Sequence, residues 1–144
     1  MATYRATAKS PMNPEQTFEY LADFTNASEW DENTKSCDLV SGDALAEGAE
    51  YKVVTSFAGR DLTLTYRTVE LERPGRIVFR SGTAIADIED VITIARDGDG
   101  SKISYEATIH PKSVAKLLDP VFAIIFNRVG DRAAESLRET LASK

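Results

Sequence analysis

The stretch from Asp119 to Leu141 constrains the fold most, because it predicts one long helix whose apolar surface other elements must cover. Asp119 suits the N-cap of this helix and Pro120 suits its first helical position. On a helix, one stripe collects the apolar residues Phe122, Phe126, Val129, Ala133 and Leu137, and charged residues fall on the opposite face. The first turns, VFAIIF, are apolar nearly all round. We therefore expect the N-terminal half of the helix to be covered on more than one side.

Most of the chain before this helix shows an apolar period of two, which is typical of β-strands. The predicted strands cover residues 3–10, 34–41, 48–57, 61–72, 76–81, 84–96 and 101–110. Short turns rich in Gly, Asp and Pro separate the later strands, so neighbours should pair as antiparallel hairpins. The apolar parity slips between Tyr66 and Val69, which predicts a β-bulge near Thr68 that helps to curl the sheet. The prediction is an α+β domain with a seven-stranded, curved antiparallel sheet wrapped around the long C-terminal helix.

Two short helices are predicted between the first and second strands. Asn13 caps the first of them, with Pro14 at the first helical position and Gln16 completing a capping box. The second runs from Asn26 to Asp31 and carries Trp30, the only tryptophan of the chain. Trp30 should lie near the opening of the curved sheet. Two interpretations of it remain open: it forms a gate or wall for an apolar ligand, or it packs the core or a lid.

Composition and charge limit the classes of function. The 144 residues suit a single domain spanning residues 1–144. The net charge of −6 argues against a nucleic-acid partner, which needs a basic patch. The single cysteine excludes an intrachain disulfide, and neither a secretory signal nor a run of about 20 apolar residues is present. We expect a cytoplasmic protein, monomeric or homodimeric, without an integral membrane segment.

Neither a metal site nor a cofactor is predicted. His110 is the only histidine and Cys37 the only thiol, so no familiar zinc ligand set can form. The segment 97–101 begins like a calcium loop, but Lys102 and Thr108 stand where that loop needs Gly and Glu. We interpret it as a hairpin turn. A catalytic triad would have to use His110, which strand alternation points away from the inner face.

One face of the predicted sheet mixes aliphatic residues with many hydroxyl groups. Alternation places on it Tyr51, Val53, Thr55, Phe57, Leu64, Tyr66, Phe79, Ser81, Ile92 and Tyr105. Asp90 shares this parity in a strand of isoleucines, and a carboxyl buried there has a raised pKa unless it is paired. Asp90 is therefore a candidate general acid or base. The alternatives are that a bulge turns it outward or that it pairs with Arg67 or Arg80.

Several motifs match a known fold family across nearly the whole chain. They are Pro14 with Phe18, Asn26 with Trp30 and Asp31, Gly48, the hairpin from Leu62 to Phe79, the strand Gly100, Ser101, Ile103 and Tyr105, and the Leu118-Asp119-Pro120 entry to the last helix. With the order of the elements, they resemble the START-like helix-grip superfamily (SRPBCC), in its polyketide cyclase/dehydratase and lipid-transport branch. The resemblance implies a helix-grip fold with a cavity between the concave sheet face and the long helix. These motifs mark the fold and carry no catalytic signature.

The expected function is to bind a small hydrophobic molecule, such as a lipid, a polyketide or a similar aromatic compound, in that cavity. Apolar walls would supply affinity and a few polar groups would fix orientation. The predicted ligand-binding residues are Trp30, Tyr51, Val53, Phe57, Leu64, Tyr66, Phe79, Ile92, Tyr105, Phe122, Phe126 and Asn127. Two alternatives stay open. One is a cyclase/dehydratase-type enzyme that moves protons with Asp90 or a tyrosine. The other is a regulatory or interaction module whose cavity is filled by its own side chains.

Overall fold

A seven-stranded antiparallel sheet forms most of the computed structural model, which describes residues 1–113 and 120–144. The strands are β1 (Ala2–Ser10), β2 (Thr34–Ser41), β3 (Glu50–Phe57), β4 (Arg60–Glu72), β5 (Arg76–Gly82), β6 (Ala86–Asp97) and β7 (Gly100–Pro111). Their spatial order is β1-β7-β6-β5-β4-β3-β2. Strands β2 to β7 therefore form a meander, and β1 pairs with β7 at its far side. The predicted strands and their antiparallel pairing are confirmed.

The helices are α1 (Pro14–Ala22), α2 (Ala27–Trp30) and α3 (Pro120–Ala142), with a short 3-10 turn over Phe24–Asn26. The predicted capping box is present. Asn13 Oδ1 accepts a hydrogen bond from Gln16 N at 2.9 Å, and Gln16 Oε1 accepts one from Asn13 N at 3.3 Å. The predicted N-cap of the long helix, Asp119, lies outside the described residues. The elements confirm the α+β, helix-grip prediction.

The predicted bulge lies in the long strand β4. Thr68 pairs with Phe79, but the next pair joins Glu70 to Val78, so β4 gains one residue there. After the bulge Leu71 pairs with Ile77, which is fully buried. The extra residue explains why the apolar parity of the sequence changes within one strand, and it bends the sheet locally.

Helix α3 buries its apolar stripe against β1 and α2. Its buried residues are Phe126, Ala133, Ala134, Leu137 and Leu141, and its charged residues are exposed. The expectation that its first turns are covered on several sides is wrong. Val121 is 60% exposed and Ile124 is 53% exposed. Among the described elements, the helix packs mainly against β1 and α2, which leaves these two side chains open to solvent.

Gly130 allows α3 to lie directly against the ring of Tyr4. A Cβ atom at position 130 would stand 2.5 Å from Tyr4 Cγ and Cδ2. The Tyr4 hydroxyl donates to Asp131 Oδ1 at 2.6 Å, which holds the ring in place. We expect Gly130→Ala to lower the free energy of unfolding by about 1–3 kcal/mol through overpacking. Alanine is the better helix former by about 1 kcal/mol, which offsets only part of this loss.

Urea denaturation of a double-mutant cycle with Tyr4→Ala tests this explanation. If the ring is the obstacle, Gly130→Ala should become neutral or stabilising in the Tyr4→Ala background. An equal loss in both backgrounds would contradict the steric explanation.

Candidate ligand site on the inner face of the sheet

Side chains from the protein itself fill one end of the inner sheet face. The Phe24 ring stacks on Phe79 with their centroids 4.2 Å apart, and it lies 5.7 Å from Tyr51 and 5.2 Å from Tyr66. Tyr51 and Phe79 are fully buried, and the Tyr51 hydroxyl donates to Ala44 O at 3.2 Å. Strand alternation finds the residues that face inward, but it does not show which helix residue covers them. The role of Phe24 was missed for that reason.

The other end, towards the β3–β4 turn, keeps apolar side chains partly accessible. Leu64, Ile88 and Ile109 face inward and are half-buried, and Leu62 is 37% exposed. Across from them, two further half-buried residues meet: the ring of Phe122 on α3 lies 6.2 Å from the ring of Phe57. We call this accessible surface, lined by Phe57, Leu62, Leu64, Ile88, Ile109 and Phe122, the apolar wall. Three of its residues, Phe57, Leu64 and Phe122, were predicted to bind ligand. The other three, Leu62, Ile88 and Ile109, face the same side of the sheet.

Asp90 lies between the packed end and the apolar wall. It pairs with Phe79 on β5, two positions from the pair of Ser81 with Ile88, so Asp90 and Ser81 share the inner face. Asp90 is 6% exposed. Neither alternative from the sequence holds: Asp90 does not turn outward, and Arg80 instead pairs with Glu89 at 2.6 Å while Arg67 is exposed.

Burial governs the ionisation of this region. It raises the pKa of Asp90 to about 7, while a hydrogen bond from Tyr105 lowers that pKa in part and the charges of Asp31 and Glu89 raise it further. Burial also raises the pKa values of Tyr66 and Tyr105 well above that of a free tyrosine, and the Asp90 charge adds to the effect. At neutral pH both phenols are therefore protonated, whereas Asp90 is present in both its protonated and its ionised form.

A tight turn after α2 holds Trp30 and Asp31 in place. Asp31 Oδ1 accepts from Asn33 N at 2.9 Å, and Asp31 Oδ2 accepts from Thr34 Oγ1 at 3.0 Å. Burial raises the pKa of Asp31, and these hydrogen bonds oppose the rise. Asn33 Nδ2 donates to Val129 O at 2.9 Å and so ties the turn to α3. The turn therefore fixes Trp30 relative to both the sheet and the long helix.

Within residues 1–113 and 120–144, three buried polar atoms in this region find no hydrogen-bond partner: Trp30 Nε1, Ser81 Oγ and Thr68 Oγ1. Thr68 lies close to the hydroxyl of Tyr51, which provides it with a polar neighbour. Trp30 is 2% exposed, Ser81 is 3% exposed, and the Trp30 ring packs edge-on against Tyr105 at 6.0 Å. An unpartnered buried polar group costs about 1–3 kcal/mol, so a ligand or water oxygen here would be stabilising. We call Trp30, Tyr66, Ser81, Asp90 and Tyr105 the polar cluster.

The remaining predicted site residues fall into two groups. Val53, Ile92 and Phe126 are buried, and Ile92 pairs with Tyr105 on the inner face. Asn127 is exposed, so the structure does not bring it to the polar cluster. His110 is exposed, as strand alternation predicted.

A shallow groove of about 640 Å³ crosses the outer face of the sheet. Its charged residues are paired with one another or with neighbours: Arg5 Nε lies 2.8 Å from Glu106 Oε2, and Arg76 Nε lies 3.2 Å from Glu70 Oε2. The Arg138 Nε donates to Thr7 O at 2.9 Å. These groups satisfy one another, so the groove is a weaker candidate than the inner face.

The described parts of the chain show neither a cluster of metal ligands nor a membrane-spanning helix. In residues 1–113 and 120–144, no three His, Cys, Asp or Glu side chains group as metal ligands would. Within those same ranges, no helix is long and apolar enough to cross a bilayer.

Several solved structures of other proteins share this architecture. No curated protein matches the chain. A protein from Thermus thermophilus is 15% identical over 97% of both chains, with a TM-score of 0.79. A START superfamily protein from Mycobacterium smegmatis is 12% identical over 96% of both chains, with a TM-score of 0.78. The Zhui aromatase/cyclase from Streptomyces sp. R1128 is 16% identical over 97% of this chain and 90% of its own, with a TM-score of 0.76.

At such low identities these structures show the fold alone. A family model covers nearly all of the sequence, from residue 1 to residue 142. Its description is polyketide cyclase / dehydrase and lipid transport, and the chain belongs to that family.

Proposed function

We propose that the protein binds a small hydrophobic molecule between the apolar wall and α3, with the polar end of the molecule at the polar cluster. The observation that carries this proposal is the pair of buried, unpartnered atoms Trp30 Nε1 and Ser81 Oγ. Native cores pair almost all of their buried polar groups, so two such atoms near the inner sheet face indicate a missing partner. Membership of a polyketide cyclase / dehydrase and lipid transport family supports the same function.

The apolar wall provides a source of affinity that needs no charged contact. Burial of apolar surface contributes about 25 cal/mol per Å², so a ligand that covers about 200 Å² gains about 5 kcal/mol before the costs of association. The polar cluster then fixes which end of the ligand enters first. The side chains of the apolar wall stay partly accessible, so the alternative of a cavity filled throughout by side chains has less support.

Native mass spectrometry of protein freshly purified from cell extract tests the proposal. We expect a small molecule that is released only on denaturation. The released molecule should bind Leu64→Gln about tenfold more weakly than the unchanged protein, because Leu64 contributes to the apolar wall. The neighbouring variant Thr65→Gln, on the outer face of the same strand, is the matched control. No released molecule, together with an unchanged melting temperature in a panel of lipids and aromatic polyketides, would overturn the proposal.

Asp90 favours an enzyme of the cyclase/dehydratase type as a second candidate function. A carboxyl whose pKa burial raises to about 7 gains and loses a proton near neutral pH, as a general acid or base must. Mixing poly-β-ketone substrates with the protein and with Asp90→Asn separates the two candidates. Loss of one water from the substrate with the unchanged protein alone favours the enzyme. Binding without any change in the mass, the chromatographic retention or the ultraviolet spectrum of the substrate favours the carrier, because aldol cyclisation without dehydration leaves the mass unchanged.

A further inference from the structure

We infer that the site takes ligands whose buried end is an uncharged oxygen, a hydroxyl or a carbonyl, and that Asp90 excludes carboxylates. This inference rests on the proposed binding function and names the ligand class. It concerns the charge on the end of the ligand that enters the polar cluster.

The charged groups that act on the polar cluster are acidic, as far as residues 1–113 and 120–144 are concerned. Asp90 is buried, and Asp31 and Glu89 are half-buried. The other titratable groups that act on them or on Tyr66 are the neutral phenols of Tyr66 and Tyr105 and the neutral thiol of Cys37. Among the described residues, every Lys, Arg and His side chain is exposed except Arg76, which pairs with Glu70. A carboxylate end would therefore enter next to Asp90 without a cation to balance it. A buried charge without a partner is strongly unfavourable.

The unpartnered atoms favour an oxygen over an ammonium group. The Trp30 indole N–H is a donor only, so it needs an acceptor oxygen. An ammonium group would be attracted by the Asp90 carboxylate, but it has no acceptor and would leave Trp30 Nε1 unsatisfied. A hydroxyl or carbonyl oxygen accepts from Trp30 Nε1 or from Ser81 Oγ without adding a charge. Of the three kinds of polar end, the uncharged oxygen is the one that satisfies these atoms without placing a second negative charge beside Asp90.

The exclusion of carboxylates should depend on pH. Below pH 7 Asp90 is protonated and can donate a hydrogen bond to a carboxylate, since burial raises its pKa to about 7. Above pH 7 the same contact brings two negative charges together. Tyr66 and Tyr105 stay protonated on both sides of this pH. Discrimination against carboxylates should therefore be larger at pH 8 than at pH 6.

Three probes with the same apolar tail test the inference: decanol, decanoate and decylammonium, titrated below their micelle concentrations at pH 6 and pH 8. Trp30 is the only tryptophan, so its fluorescence reports on the site directly. At pH 8 we expect decanol to bind at least about tenfold more tightly than decanoate. Decanoate should gain affinity at pH 6. If decanoate binds as tightly as decanol at pH 8, or if decylammonium binds more tightly than decanol, the inference is overturned.

Substitutions test whether Asp90 causes the discrimination against carboxylates. Asp90→Asn should narrow the gap between decanol and decanoate at pH 8 by about tenfold. Asp87→Asn removes an exposed charge from the same strand and should leave the gap unchanged. If all three probes bind equally, the ligand class is wrong while the binding function stands. If none of them changes the Trp30 fluorescence or the melting temperature, the proposed binding function fails as well.

Discussion

Asp90→Asn should raise the free energy of unfolding at pH 8 by about 4 kcal/mol and change it little at pH 4. Burial raises the pKa of Asp90 from 3.8 to about 7 in the folded protein. A shift of about 3 units corresponds to about 4 kcal/mol. Between pH 4 and pH 7 the folded state keeps a proton that the unfolded chain has lost, so stability falls as the pH rises through this window. Asparagine has the shape of the protonated carboxyl and carries no charge, so it removes the penalty.

Urea denaturation of both proteins at pH 4 and pH 8 measures this effect. Asp87→Asn is the matched control, because Asp87 lies on the same strand and is exposed. Its free energy of unfolding should change by less than about 0.5 kcal/mol at either pH. Equal stability of Asp90→Asn and the unchanged protein at pH 8 would show that Asp90 is solvated in the folded state. The inference about ligand charge would then lose its main support.

A destabilising carboxyl in the sheet indicates a function for the inner face. An asparagine or a valine at position 90 would avoid the cost above pH 7, so packing alone does not explain Asp90. Groups with strongly perturbed pKa values concentrate at functional sites. In this protein the perturbed group also shares the inner face with Ser81, whose buried hydroxyl lacks a partner among the described residues, and it bonds to Tyr105, against which Trp30 packs. Electrostatics and hydrogen bonding thus point to the same few residues.

The sequence predicted the sheet well because its signals are local. Alternation, turn residues and the parity slip between Tyr66 and Val69 each act over a few residues, and the structure has the bulge at Thr68 that the slip indicated. The inward position of Asp90 followed from the same alternation. On the helix, a residue beside the apolar stripe turns to solvent with a small rotation, and Asn127 is exposed for this reason.

The sequence did not show which side chains pack onto the inner face of the sheet, nor which buried polar atoms lack hydrogen-bond partners. Phe24 lies in a short 3-10 turn without a period, so no pattern predicts that its ring stacks on Phe79. The lack of a partner for Trp30 Nε1 depends on which groups of other elements surround it in the fold. Both features depend on how several elements pack against one another in the folded protein, which local sequence patterns do not encode.

Gly100→Ala should lower the free energy of unfolding by about 3 kcal/mol or more, as expected for severe overpacking. Gly100 begins β7 after the hairpin turn, and a Cβ atom there would overlap Ser10 O and lie 3.3 Å from Pro11 Cα. Both obstacles are backbone atoms, so no side-chain rotation relieves them. The strand end of β1 would have to move away from β7, to which it is paired at Ser10 and Ser101.

The movement would also break a buried hydroxyl cluster that anchors α1. Thr17 Oγ1 lies 3.2 Å from Ser10 Oγ and 3.3 Å from Ser101 Oγ, and Ser101 Oγ donates to Met12 O at 2.9 Å. Gly75→Ala is the matched control, since a Cβ at that turn glycine would meet only Ile94 O at an ordinary 3.5 Å. Urea denaturation should give a loss below about 1 kcal/mol for the control. Equal losses for the two variants would mean that glycine flexibility, rather than the close approach of β1, makes Gly100 necessary.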